Sequence, residues 1–187
     1  MNGIGVWMAV LCWTARLCGQ TPPQPSAGLE TSWEIAPVIQ EIGAQAGRLL
    51  PALDRVDVRA WLDRGASETY LEQLQSSREQ ARAVQEESGS LAHNPERLAG
   101  GMSLLFRLDG LDLMLLSLED GMRRYQNPRD AEALASLRAQ AGPSRDRLER
   151  YLVQLAAEQE QQLRVMDEEA QRCRALVTAP QTAGKKK

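Results

Sequence analysis

The sequence predicts an all-α fold: an antiparallel helical bundle of three long helices with shorter helices packed against them. Three observations lead there. The composition is rich in Ala, Leu, Glu, Gln and Arg, with a single phenylalanine and few β-branched residues, which favours helix over sheet. Leu104, Leu108, Leu111, Leu115, Leu118, Met122 and Tyr125 recur at alternating steps of four and three, the period of a helix seam. Pro, Gly, Asn and Ser punctuate the chain where helices would start and stop.

The chain opens on a short apolar run, Gly3–Trp13. It is too short to span a bilayer, which takes ~20 residues. Small and polar residues follow, then TPPQPSAG, which cannot continue a helix. This pattern reads as a secretory signal peptide over 1–19. It carries the expectation of export to the periplasm or beyond, with no transmembrane segment in the mature chain. Residues 20–30 read as a disordered linker, 31–178 as the helical domain and 179–187 as a flexible tail ending in Lys-Lys-Lys.

Within the domain, Thr31 and Glu34 can form a capping box. Trp33, Ile35, Val38, Ile39, Ile42, Ala46, Leu49 and Leu50 then mark an amphipathic helix. Pro37 should confine its regular part to the residues after it, and Pro51 should end or kink it. Asp57 can cap a short helix through Val58, Trp61 and Leu62, closed by Gly65. A longer helix from Ser67 to about Leu91 has a thin apolar stripe (Tyr70, Leu71, Leu74, Ala81, Val84), which suggests a peripheral position.

The 98–125 stretch should be central. Leu105, Leu113, Met114 and Leu116 widen its stripe over most of the circumference, and such a helix needs partners on several sides. Asn94-Pro95 is its expected cap and first helical position, and Asn127-Pro128 repeats that start for a short helix to Ala141. After Gly142-Pro143, a last helix runs from about Ser144 to Val177. Leu148, Leu152, Leu155, Gln159, Leu163, Met166, Ala170, Cys173 and Val177 stay on one side of it, at a period nearer 3.6 that drifts around a partner.

Chemistry is read mostly by exclusion. Lys+Arg 22 against Asp+Glu 25 gives a formal net charge of −3, without the basic face of a nucleic-acid binder. His93 is the only histidine, which excludes a di-iron carboxylate site, covalent haem and a histidine-based zinc centre. No Walker or Gly-x-Gly-x-x-Gly motif occurs, and Gly100-Gly101 is read as permitting a close helix crossing. No cofactor or metal is therefore expected, and no enzymatic activity.

The candidate binding residues are Asp109 and Asp112, one turn apart, as a cation or cationic-ligand site with Glu119. The competing reading makes them a solvent-side strip or pairs them with arginines of a neighbouring helix, and it is favoured because two carboxylates do not define a calcium site. Arg123, Arg124 and Tyr125 are candidates for an anion or a partner's carboxylate, against a role as dipole complement and core-edge tyrosine. Once a leader is removed, Cys173 would be the remaining cysteine and a possible free thiol. On the apolar side of its helix it is expected to be a small buried hydrophobe.

Three segments, WLDRGASETYLEQLQSS (Trp61–Ser77), FRLDGLDLMLLSLEDGMRRYQNP (Phe106–Pro128) and EAQRCR (Glu169–Arg174), resemble an uncharacterised family of exported α-helical bacterial proteins. The resemblance implies export and an all-α fold and carries no functional residue. The expected function is a non-enzymatic interaction or structural module of the cell envelope, with an unknown protein partner or self-association. The alternative is a periplasmic small-ligand-binding or sensory bundle with a pocket near Asp109, Asp112 and Trp61.

Overall fold

The computed structural model describes residues 29–178, so the expected leader, most of the linker and the tail lie outside the described residues. Six helices follow one another: α1 (Ser32–Leu53), α2 (Val58–Leu62), α3 (Thr69–Ala92), α4 (Leu98–Tyr125), α5 (Pro128–Gln140) and α6 (Gly142–Thr178). There is no strand among the described residues. The expected antiparallel all-α bundle is what the chain forms.

Its legs alternate in direction. Arg78, early in α3, donates to the Leu53 carbonyl at the end of α1 at 3.0 Å. Arg107, early in α4, reaches Glu87 late in α3 at 3.0 Å. Arg145, at the start of α6, meets Asp109 in α4 at 2.5 Å. The fourth leg is α5 followed by the first half of α6, joined through Ala141. Each leg packs on two neighbours, α1 on α3, α3 on α4, α4 on α5 and α6, and these back on α1. Between them lies one core of aliphatic side chains from Ile35 to Leu155.

The capping box is present: the Glu34 carboxylate accepts from the Thr31 N–H at 2.9 Å and from its hydroxyl at 2.6 Å. The Thr31 hydroxyl, and after it the Thr31 N–H, holds the Glu34 carboxyl below the usual carboxylate range. Asp57 accepts from the Ala60 N–H at 3.1 Å, and Asn127 from the Arg129 N–H at 3.0 Å, as expected. Gly65 takes the left-handed φ of +87° that closes α2.

Four expectations are corrected. First, α1 runs as one helix through both prolines, which makes it a full leg. Pro37 and Pro51 are both exposed, so water can serve the carbonyls their missing N–H groups leave free. Second, α3 is no peripheral helix. Its buried side includes the small residues Ser77, Ala81 and Ser88, and Ser88 lies against Gly43 so closely that a Cβ at Gly43 would sit 3.0 Å from it. Small residues make the stripe look thin because they let α1 and α3 approach.

Third, Asn94-Pro95 is a turn, closed by the Arg97 N–H on the Asn94 carbonyl at 3.3 Å, and α4 begins only at Leu98. Proline after asparagine suits a turn as well as a helix start. Fourth, α4 occupies one corner of the bundle and is not surrounded. Leu113 is 68% exposed, and Phe106 and Leu116 are also on the surface. The predicted close crossing is real at Gly101: a Cβ there would fall 2.2 Å from Leu152 Cδ2.

Candidate interaction surface

The carboxylates of α4 meet arginines of α5 and α6. Asp109 pairs with Arg145 at 2.5 Å and Asp112 with Arg138 at 3.1 Å. Glu119, 1% exposed, receives the Arg138 Nε at 2.7 Å, with Arg123 3.6 Å away. Hydrogen bonding to Glu119, more than the opposing effect of burial, raises the already high pKa of Arg138. This ladder corrects the cation reading of Asp109 and Asp112, because each carboxylate already holds a guanidinium from the fourth leg. Among the described residues no group of three or more His, Cys, Asp or Glu is placed to hold a metal ion.

A cavity of about 180 Å³ does open beside Asp112, Arg138 and Arg145, floored by Ile42, Leu49, Leu108 and Leu111. Trp61 is not part of it. That indole is fully buried, donates to Gln126 Oε1 at 3.2 Å and packs against Tyr70 and Tyr125 at centroid distances of 5.4 and 6.3 Å. Gly121 leaves room for its ring, which a Cβ would approach to 2.6 Å.

Nor do Arg123, Arg124 and Tyr125 converge on an anion. Arg123 is taken by Asp120 at 2.9 Å, Tyr125 belongs to the aromatic cluster, and Arg124 is exposed. His93 is an exposed residue at the end of α3.

The feature that stands apart is the far end of α6. Leu148, Tyr151, Leu152 and Leu155 are buried against the other legs, but every residue from Glu160 to Val177 is exposed. This stretch is roughly 27 Å of helix at 1.5 Å per residue. It passes the bundle end formed by the starts of α1 and α4, where Gln159 donates to the Glu96 carbonyl at 3.3 Å.

Leu163, Met166, Ala170, Cys173 and Val177 follow one another along it at steps of three and four, the spacing of a two-stranded seam. Leu163, Met166 and Val177 are exposed large apolar side chains. Cys173 is an exposed free thiol, which corrects the expectation of burial. The sequence places all of these on the same side as Leu148 and Leu155. It carried no sign that the helices beside them would stop near Leu155. Pattern alone cannot separate a stripe facing a core from one facing solvent.

Electrostatics does not oppose contact along this stripe, since its five side chains are uncharged. Among the described residues no helix is long and apolar enough to cross a membrane. No protein-family model, no curated protein and no solved structure matches this chain.

Proposed function

We propose that this protein works by association: it is a non-enzymatic helical module of the cell envelope whose α6 pairs with α6 of a second copy. The observation that carries the reading is the exposed seam from Leu163 to Val177. Most helical stability in proteins comes from packing an apolar face, and the apolar side of this stretch is exposed among the described residues. The placement in the envelope rests on the apolar run Gly3–Trp13 and the proline-rich stretch after it.

A second copy suits the geometry in one orientation. Cys173 stands about five turns beyond Leu155 at 3.6 residues per turn, so the exposed seam points to the same side as the buried one. A partner helix therefore lies above the end of the bundle. Laid parallel, a second copy would drive its own bundle into the first. Laid antiparallel, the two bundles stand at opposite ends of a short two-helix stem, and both copies bury the same side chains, as a two-fold interface requires.

Burying five such side chains on each copy removes roughly 800 Å² of surface. That is below the ~1,200 Å² at which stable specific interfaces begin, so the pairing is reversible. Sedimentation equilibrium of the protein tests it. A monomer–dimer equilibrium that Met166→Glu shifts to monomer is the expected result; a monomer at every concentration would refute self-association.

The second reading, a small-ligand-binding bundle, has one observation in its favour, the cavity beside Asp112. Gln45 and Arg145 line it, and Gln45 Oε1 and Arg145 Nε are buried without a hydrogen-bond partner.

A further inference from the structure

A second cavity, of about 350 Å³, lies at the bundle end where α6 leaves the other helices. Its walls come from the start of α1, the turn before α4 and the middle of α6. It adjoins the α6 seam, which begins at Leu163, and is separate from the cavity beside Asp112.

The floor of this cavity holds an unexplained group. Tyr151 is 1% exposed, and its hydroxyl has no hydrogen-bond partner among the described residues. A buried hydroxyl left unpaired forfeits its hydration without compensation, so such groups are uncommon without a reason. Glu158 Oε2 is buried and equally without a partner. Both residues line the cavity together with Glu30 and Glu96.

The charges there do not balance. Glu30 is neutralised by Arg147 at 2.8 Å. Glu96 accepts the Ser32 hydroxyl at 2.7 Å, and neither it nor Glu158 forms an ion pair among the described residues. Leu29 and Leu155 supply apolar wall, and the exposed Trp33 stands at the rim.

We propose that this cavity binds the ammonium group of a small primary alkylamine, with Tyr151 Oη, Glu158 Oε2 and the Glu96 carboxylate accepting its hydrogen bonds and Leu29, Leu155 and Trp33 covering its alkyl stem. A primary ammonium carries three donors and no acceptor, which suits a cavity lined by three residues that each offer an acceptor. A quaternary ammonium has no N–H and would leave Tyr151 and Glu158 unpaired. An anion would meet two carboxylates without counter-charge.

The phenol stays neutral throughout the range in which an alkylamine is charged. Burial, and after it the nearby Glu96, Glu158 and Glu30, push the Tyr151 hydroxyl up to about 12. It therefore offers a lone pair and does not become a competing charge.

The test is calorimetric titration of the full chain with n-butylammonium chloride at fixed ionic strength, beside tetramethylammonium chloride and n-butanol. Saturable binding of n-butylammonium is expected, weakened about tenfold or more in both Tyr151→Phe and Glu158→Gln, the loss of one charge-assisted hydrogen bond. Both controls should bind at least about tenfold more weakly than n-butylammonium. The proposal is overturned if n-butylammonium shows no saturable binding, if tetramethylammonium or n-butanol binds as well, or if Glu158→Gln leaves affinity unchanged. Glu158 lies on the rim of the core, so that variant remains informative should Tyr151→Phe disturb folding.

Discussion

At the residue scale the most consequential group is Glu119, a carboxylate buried in the interface between α4 and α5. It is tolerable there chiefly because Arg138 meets it at 2.7 Å, with Arg123 a more distant partner at 3.6 Å. Removing that partner should cost more than removing an exposed ion pair. Arg138→Ala is expected to destabilise the fold by about 3–5 kcal/mol, the cost of stranding a buried charge. Urea denaturation checks it, and the loss should shrink when Glu119→Gln is added. At Glu41–Arg48, where both side chains are nearly half exposed and screened by solvent, the same truncation should have little effect on stability.

Tyr151 makes a second prediction at this scale. Its folded pKa of about 12 lies above the ordinary value of 10.0, so the folded chain holds the phenolic proton more tightly than the unfolded chain. That contribution is fully present below pH ~10 and is lost as pH rises towards ~12, amounting to roughly 2–3 kcal/mol. Denaturation curves on either side of this window should show the loss in the native protein and not in Tyr151→Phe. Among these residues the sequence left Asp109 and Asp112 either on a solvent-side strip or paired with arginines of another helix, and it named neither Arg138 and Arg145 nor the burial of Glu119. Nothing in the local sequence marked Tyr151, because an unpaired hydroxyl is a property of everything around it.

At the scale of elements, the helices were legible because their caps and periodicities are local. Asp57, Gly65 and Asn127 each act where the sequence places them. The misjudged elements are those whose role depends on a neighbour. The α3 stripe is thin in apolar residues, yet it packs closely on α1 because Gly43 faces Ser88. The apolar excess of α4 suggested burial on all sides, yet Phe106 and Leu113 face solvent.

Glycines within α4 separate the two situations. Gly101→Ala should destabilise by about 1–3 kcal/mol through overpacking, since the new methyl meets Leu152. Gly110→Ala, with nothing within 4 Å of the added Cβ, should stabilise by up to about 1 kcal/mol through helix propensity. Thermal denaturation of the two variants would show opposite signs.

At the scale of the whole molecule, the bundle is complete without the end of α6. The fourth leg is spent by Leu155, and the helix continues past the bundle end with its apolar side unpartnered. This continuation is what an association function needs: a rigid arm anchored in a packed core, with a seam that is exposed among the described residues. For the proposed pairing the antiparallel orientation follows from the side on which the seam lies, since a parallel copy and the bundle would occupy the same space. The proposed dimer equilibrium and its expected loss in Met166→Glu therefore belong to the scale of the assembled molecule, and the seam's spacing alone would not have chosen the orientation.

By itself the sequence determined the class of fold, the existence of the helices and most of their ends, because these follow from composition, periodicity and capping within a few residues. Tertiary structure alone decided which stripes are covered. It set the last turns of α6 beyond the bundle, buried Glu119 against Arg138 and gathered Tyr151, Glu96 and Glu158 around one space. These outcomes depend on where four legs of unequal length begin and end relative to one another. A helix pattern records which side of a segment is apolar and leaves open how far its neighbours reach.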